Sequence, residues 1–459
     1  MSASGKKSPF GAYDIRGVFG ENLTEEFAQK LGVAIYKHLG IAGAKFALGH
    51  DVRVSSPLLC EALAKGIASA GGKVTLLGVA STPRVYWHGA ANDFDCSVAI
   101  TASHLPAKHN GFKLCRRNAV PISSEDGLVE VEAELKAIAG ESERAALGES
   151  ISQDLTGFDQ YVLALKKFFN VAEPITIVVD AGGSPVGKEL ASLFEGTKVK
   201  VVPLGFDEDP SFSRRSANPI DEGAVDELSE VVVREKARFG AAFDGDGDRV
   251  VFVDEKGALI DPDLVTALLA ERVLAAKPSG KIMFDLRSSR AVKEHITGCG
   301  GNAVKSRVGH SFIKADMRKQ DVAMAGELSA HYYWSDLFYT DNAVRALIEM
   351  TNLLSQRPTP LSQLIKPLQR HSGTGEINFK TTEAKAIIDA LKSKYNDGAH
   401  DFTDGLTVEY DDWWFNVRTS QTEPVVRLCV GAAAAERLQI ERAKLETLIQ
   451  DVMKEPVAR

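Results

Sequence analysis

The chain is poor in the features that mark several protein classes. Its 459 residues include only five cysteines, Cys60, Cys96, Cys115, Cys299 and Cys429. The number is odd and the positions are widely scattered. No two are spaced like zinc ligands, and a disulfide framework is not expected, so a reducing, cytoplasmic compartment fits best. Long apolar runs are also missing. The longest, Leu264 to Ala276, is broken by Glu271 and Arg272 and is too short and too charged to span a bilayer. The segment MSASGKKSPF has two lysines but no apolar core, so no secretory signal is expected. Nor is there an excess of positive charge. The 54 Lys and Arg against 62 Asp and Glu leave a net charge of −8, which argues against a nucleic-acid partner. A local basic pocket for small anions remains compatible with that balance. What the chain does have is 44% hydrophobic residues, enough for several cores, and a length that suggests about three domains.

Strands alternate with helices over most of the chain. Thr24 is a candidate N-cap for a helix reaching about His38, and Pro57 to Ala70 is a second helix closed by Gly71-Gly72. The apolar runs Lys45–His50, Ile175–Val179 and Lys281–Phe284 each end in an aspartate, at Asp51, Asp180 and Asp285. A later strand in each block ends in a polar loop. These strands are Cys96–Thr101, Gly240–Phe243 and Asp321–Ala325, and their loops are Thr101-Ala-Ser-His104, Asp244-Gly-Asp-Gly-Asp248-Arg249 and Gly326-Glu-Leu-Ser-Ala-His331. Three repeated α/β blocks are therefore expected, with their loops at the carboxyl ends of the strands lining one cleft. The last ~90 residues read differently. Four strands (near Glu376–Phe379, Leu406–Tyr410, Trp413–Val417 and Val425–Val430) are flanked by helices near Glu383–Lys394 and Ala433–Met453, which predicts a separate α+β domain. Boundaries fall near 153, 257 and 369, giving domains over 1–153, 154–256, 257–368 and 369–459.

The loops carry the chemistry. Asp244, Asp246 and Asp248 alternate with glycines, a pattern that turns several carboxylate oxygens toward one hard cation such as Mg²⁺. An EF-hand is excluded, because Arg249 occupies the position that needs glycine and Val250–Val253 is strand-like where a helix should follow. A solvated acidic turn is the bland alternative. Ser103, next to His104, is a potential nucleophile. Taken alone it reads as a capping serine. His109-Asn-Gly-Phe-Lys113 adds a turn and a cation. Arg418-Thr-Ser420-Gln421-Thr422 offers a guanidinium, hydroxyls and an amide to an anion, or is simply a hairpin tip. Glu327 and Ser329 pair a carboxylate with a hydroxyl, as needed for vicinal sugar hydroxyls. Tyr13, Arg16 and His310 supply further polar groups. Together these loops describe phosphoryl transfer on a phosphorylated sugar or polyol.

Four of the loops, in this order and over the full length, resemble those of the α-D-phosphohexomutases, the phosphomannomutase/phosphoglucomutase family. They are Thr101-Ala-Ser-His-Leu-Pro106 with Asn110-Gly-Phe-Lys113, Asp244 to Arg249, Gly326 to His331, and Arg418 to Pro424. Tyr13-Asp-Ile-Arg-Gly17 and Gly49-His-Asp-Val-Arg53 match too. The resemblance implies three similar α/β domains and a C-terminal α+β domain in a heart-shaped arrangement around one central cleft. It implies a phosphoserine at Ser103 that binds Mg²⁺ together with Asp244, Asp246 and Asp248, and a hexose 1,6-bisphosphate intermediate. Arg16, His104 and Lys113 would surround the reacting phosphoryl. Arg249 and His310 would contact the sugar or its phosphate, with Tyr13 and Arg287 also in the substrate site. Glu327 and Ser329 would read ring hydroxyls, and Arg418, Ser420, Gln421 and Thr422 would hold the phosphate that is not reacting.

Two positions depart from the family pattern. Leu105 stands where the family usually has Asn, and Arg287 where relatives often have Lys. The segments Gly326–Trp334 and Gly375–Phe379 look like the bacterial phosphomannomutase branch, which favours mannose phosphate with glucose phosphate also accepted. Alternatives are a phosphoglucomutase, a phosphoglucosamine mutase, a Mg²⁺-dependent phosphatase, or a silent sugar-phosphate-binding protein for which Leu105 is the only support. The expected partner is a small phosphosugar, with no nucleic acid and no membrane, in a monomer or a dimer.

Overall fold

Short apolar runs bounded by polar turns suit strands buried on both faces, the environment of a parallel sheet covered by helices. The computed structural model describes residues 8–138, 150–154, 156–420 and 424–454. In it, each Asp-terminated run is a central strand. Lys45–His50 lies between Cys96–Ile100 and Lys73–Val79, parallel to both. Ile175–Asp180 lies in the same way between Gly240–Phe243 and Val199–Leu204. Lys281–Asp285 lies between Met324–Gly326 and Asn302–Ser306. Beyond the loop-bearing strand each sheet turns antiparallel, beginning with His109–Arg116, Val250–Val253 and Tyr332–Trp334 respectively. The three α/β units thus share one topology. The fourth sheet is antiparallel where Leu406–Glu409, Trp413–Thr419 and Val425–Ala432 pair in sequence order, and the helices Ala384–Lys394 and Ala435–Lys454 accompany it.

The repeated aspartate has one repeated job. At the end of the central strand it braces the loop of the neighbouring strand. Asp51 Oδ2 accepts from Thr101 Oγ1 at 2.8 Å, and Asp285 Oδ2 accepts from the Leu328 N–H at 2.8 Å. Asp180 acts through Arg215, whose Nε donates to Asp180 Oδ2 at 2.6 Å and whose Nη2 donates to the Phe243 carbonyl at 2.6 Å.

Helix ends follow their capping residues. Thr24 Oγ1 accepts from the Phe27 N–H, and Gly40 at φ 64° closes the helix Glu25–Leu39. Two sequence expectations are corrected. His109 to Lys113 is not a turn but the start of the strand His109–Arg116, because alternate residues from Asn110 onward pack on both sides of the first sheet. Asp321 does not open a strand. It ends the helix His310–Gln320 in the left-handed region (φ 50°), and the strand begins only at Met324.

One apolar core runs from Tyr161 through Leu368 and serves the second and third units together. The helix Ala343–Gln356 is buried on every side up to Ser355, and its polar stripe is satisfied internally: Arg345 pairs with Glu349, and Asn352 Oδ1 accepts the Asn170 N–H at 2.7 Å. The first and fourth units have cores of their own. The fourth meets the third through polar contacts: Arg290 Nη2 donates to the Tyr410 carbonyl at 2.5 Å, and Lys305 pairs with Glu409 at 2.6 Å. No helix among the described residues is long and apolar enough to cross a membrane.

Candidate active site

Ser103 is buried and stands at φ 52°, a left-handed conformation that an L side chain adopts at a cost of about 1–2 kcal/mol. A buried scaffold over-determines it. Thr101 Oγ1 accepts from the Ser103 N–H at 2.8 Å and donates in turn to Asp51. Asp51 also pairs with Arg53, whose Nη2 donates to the carbonyls of Ser103 at 2.9 Å and Leu105 at 2.5 Å. The departure at Leu105 therefore removes a side-chain amide, but the loop is gripped through its backbone.

The carboxylate loop of the second unit, Asp244 to Arg249, is pressed against this serine. A Cβ added at Gly245 would lie 2.5 Å from the Ser103 carbonyl oxygen, and Gly247 needs φ 75°. Ser103 Oγ donates to Asp244 Oδ2 at 2.8 Å, while Asp244 Oδ1 accepts the N–H groups of Gly247, Asp248 and Arg249 at 3.0 to 3.1 Å. Oxygens of Asp244, Asp246 and Asp248 lie within 4.8 Å of one another, and all three residues are buried. Burial, then Asp246 and Asp248, push the Asp244 carboxyl well above its usual range. Burial acts on Asp248 in the same sense, but Lys113 and His331 outweigh it and hold that carboxyl well below its usual range. Lys113 reaches the pair from beneath, at 2.9 Å from Asp246 Oδ2 and also against Asp248 Oδ2. Asp246 Oδ1 and Asp248 Oδ1 are buried without a hydrogen bond. The unpartnered Asp246 Oδ1, an Asp248 Oδ1 that meets only the His331 ring at 3.3 Å, a repelled third carboxylate and the serine oxygen beside them fit one hard divalent cation.

Around this floor lies a cleft of about 940 Å³ lined from all four units. Tyr13, Arg16 and His104 come from the first, Arg249 from the second, Arg287, His310, Glu327 and Ser329 from the third, and Arg418 and Ser420 from the fourth. The structure thus brings together every described residue singled out from the sequence, with Lys113 beneath the floor. Gln421 and Thr422 lie outside the described residues. His104 Nδ1 is 3.3 Å from Ser103 Oγ. Arg249, burial and Arg16 lower its pKa, so the ring is neutral. Burial, followed by Lys314, likewise keeps His310 neutral, and neither of its ring nitrogens has a hydrogen bond.

Two residues with no role assigned from the sequence prove central. His331 Nε2 is 3.3 Å from Asp248 Oδ1 and its Nδ1 is 3.1 Å from Glu327 Oε2, joining the carboxylate loop of the second unit to the Gly326–His331 loop of the third. Burial and Arg249 oppose its charge, but the two carboxylates win and raise its pKa to about 9. Glu327 is lowered to about 2 against the effect of burial, by His331, Arg287 and Tyr333. The only sequence signal for His331 was its place at the end of the third loop. A group raised from 6.5 to about 9 contributes stability that is complete below the lower value and lost as pH rises through the higher one. Chelator-treated protein should therefore melt at lower temperature at pH about 10 than at pH about 7, and His331→Gln should flatten that difference.

Glu376, just before the strand Ile377–Lys380, is the second. Arg287 Nη1 donates to its Oε2 at 3.2 Å, Arg418 Nη2 to its Oε1, and Arg427 stands 3.7 Å away. Three guanidiniums from two units converge there, and against the effect of burial they hold Glu376 below the usual carboxylate range.

Comparison with known proteins matches this geometry. The family profiles described as phosphoglucomutase/phosphomannomutase, alpha/beta/alpha domains I, II and III, match residues 7–141, 159–257 and 261–371, and the profile of the C-terminal domain matches 376–447. The chain is 34% identical over 461 residues to a phosphomannomutase of Escherichia coli strain K12, covering 97% of this chain and 100% of that protein. It is 33% identical over 446 residues to a protein of Xanthomonas campestris pv. campestris named phosphohexose mutases, covering 96% and 98%. Among solved structures, a phosphoglucomutase/phosphomannomutase family protein from Burkholderia thailandensis superimposes with a TM-score of 0.88 at 28% identity, covering 97% and 98%.

Proposed function

The chain belongs to the phosphoglucomutase/phosphomannomutase family of phosphohexomutases, enzymes that move a phosphoryl group within a sugar phosphate, and on that premise we propose that it interconverts mannose 6-phosphate and mannose 1-phosphate and also accepts glucose phosphates. The observation that carries the reading is the contact of Ser103 Oγ with the carboxylate loop at the foot of a cleft whose far wall is three arginines. The preference for mannose is supported by relatives named phosphomannomutase. Parallel kcat/KM values for mannose, glucose and glucosamine phosphates test it. The highest value for glucosamine phosphate would overturn it.

The four units divide the work, with domains over 1–153, 154–256, 257–368 and 369–459. Ser103 carries the phosphoryl group. Asp244, Asp246 and Asp248, with the serine oxygen, would hold Mg²⁺, which supplies positive charge against the phosphoryl oxygens. Arg16, Arg249 and Lys113 add fixed cations around the same group. A sugar hydroxyl attacks phosphorus. The new oxygen–phosphorus bond forms as the bond to Ser103 Oγ breaks, and the proton lost by the sugar hydroxyl ends on the freed Ser103 Oγ, which His104 Nδ1 faces at 3.3 Å. The product of this step, a hexose 1,6-bisphosphate, turns over in the cleft. Its other phosphoryl then returns to Ser103 Oγ. Glu327 and Ser329 hold ring hydroxyls in either orientation, beside Tyr13. Arg418, Ser420 and Arg287, with Gln421 and Thr422 of the same loop, hold the idle phosphate.

In this arrangement Glu376 occupies the arginine cradle as an internal counter-anion that the idle phosphate must displace. Glu376→Gln keeps the shape and removes the competitor. It should tighten inorganic phosphate binding and lower KM by about three- to tenfold, with kcat falling as release slows. Weaker phosphate binding in calorimetry would instead make Glu376 an orienting partner of the arginines.

A further inference from the structure

The helices Pro262–Ala276 and Arg290–Gly298 lie side by side in the third unit. Glu271 comes from the first. His295 comes from the last turn of the second and Cys299 caps its end, four positions on and so on the same side. His295 Nε2 is 3.0 Å from Glu271 Oε1 and 3.7 Å from Cys299 Sγ, and the three atoms lie within 4.8 Å of one another. None of these residues lines the cleft.

A glutamate–histidine ion pair with a bystander thiol is the simplest competing account. It explains the 3.0 Å contact, with the thiol set beside the ring by its helical spacing. One ion at the centre explains both contacts. With bonds of about 2.0–2.1 Å to nitrogen and oxygen and about 2.3 Å to sulfur, a tetrahedral zinc ion sets its ligands about 3.3 Å (N to O) and about 3.6 Å (N to S) apart. The observed 3.0 and 3.7 Å fall close to both values. Arg357 Nη2 holds the other glutamate oxygen, Oε2, at 2.8 Å, the kind of outer partner that orients a ligating carboxylate. Cys299 is exposed, which leaves the fourth position to water.

We propose that Glu271, His295 and Cys299 form a second metal site, for a borderline-soft divalent cation of the zinc type, separate from the carboxylate loop of the cleft. A sulfur, an imidazole nitrogen and one carboxylate oxygen select Zn²⁺ over Mg²⁺, just as three carboxylates do the reverse. On binding, Sγ, Nε2 and Oε1 each form a bond to the metal, and the thiol proton and any proton on Nε2 pass to solvent. The metal would clip the two helices together.

The test uses full-length protein with Mg²⁺ in excess and Co²⁺ as the optical probe. One Co²⁺ per chain should bind with a thiolate-to-cobalt charge-transfer band, and one equivalent of Zn²⁺ should abolish that band. Cys299→Ser and His295→Gln should each lose the band and the rise in Tm that Zn²⁺ gives the parent, with Mg²⁺-dependent isomerisation unchanged. Absence of the band at saturating Co²⁺, its survival in Cys299→Ser, or an equal Zn²⁺-induced rise in Tm in both variants overturns the site. None of these readouts depends on which sugar the cleft takes.

Discussion

Ser103→Ala should lower turnover by at least about 10³-fold while leaving sugar-phosphate binding nearly intact. The reason lies in the division of the cleft. The serine oxygen is placed against the carboxylates, 2.8 Å from Asp244 Oδ2, whereas the arginines proposed to hold the idle phosphate belong to the third and fourth units. Loss of the covalent step therefore separates from loss of affinity. Intact mass should show one phosphoryl group on the parent and none on the variant, and added hexose 1,6-bisphosphate should prime the parent alone. Ser103→Gly is the control for folding. Glycine tolerates φ 52° at no steric cost, so this variant should be more stable than Ser103→Ala by about 1 kcal/mol and just as inactive. Turnover by either variant near the parental rate would remove Ser103 from the mechanism.

Asp244→Asn should separate activity from stability in the opposite direction. The amide oxygen still accepts the three N–H groups that Oδ1 now accepts, so the loop keeps its turn. The lost charge removes a metal ligand, and kcat/KM should fall by about two to three orders of magnitude. Yet the Asp244 carboxyl is raised by burial and by Asp246 and Asp248. An acid raised in the folded state costs stability as pH climbs from the usual carboxylate range through the raised value, and at neutral pH that cost is present. Without divalent metal, Asp244→Asn should therefore melt about 1–3 °C above the parent at pH about 7. With Mg²⁺ about 100-fold over its Kd the order should reverse, because the parent gains about 2.7 kcal/mol and the variant does not. A variant that melts below the parent in chelator would show that the loop needs the charge even without metal.

Legibility in the sequence followed the range of the interactions. The loops were visible because each is a contiguous string whose residue types suit one task, and the alternating Asp-Gly pattern of residues 244 to 248 needs no partner to be read. Lys113 was visible as a cation but not as the buried ammonium beneath the carboxylate loop. That role depends on the strand His109–Arg116 crossing to a residue 133 positions away. His331 and Glu376 had names in a motif but no task, since their partners come from other units: Asp248 for one, and Arg287, 89 positions before, for the other. The triad of Glu271, His295 and Cys299 was hidden for the same reason. No two cysteines are spaced like zinc ligands, because the other two ligands are a histidine one helical turn away and a glutamate on a neighbouring helix.

The sequence by itself determined the four α/β and α+β blocks, the repeated aspartate at the end of each central strand and the chemistry of each loop, because periodicity, capping and short polar strings act over a few residues. Only the tertiary structure decided which loop faces which. It set Ser103 against Asp244, linked Asp248 to Glu327 through His331, and placed a glutamate among three arginines of two units. Those choices are made by the packing of separate sheets around one cleft, where burial turns ordinary side chains into raised, lowered or orphaned groups that no local pattern records.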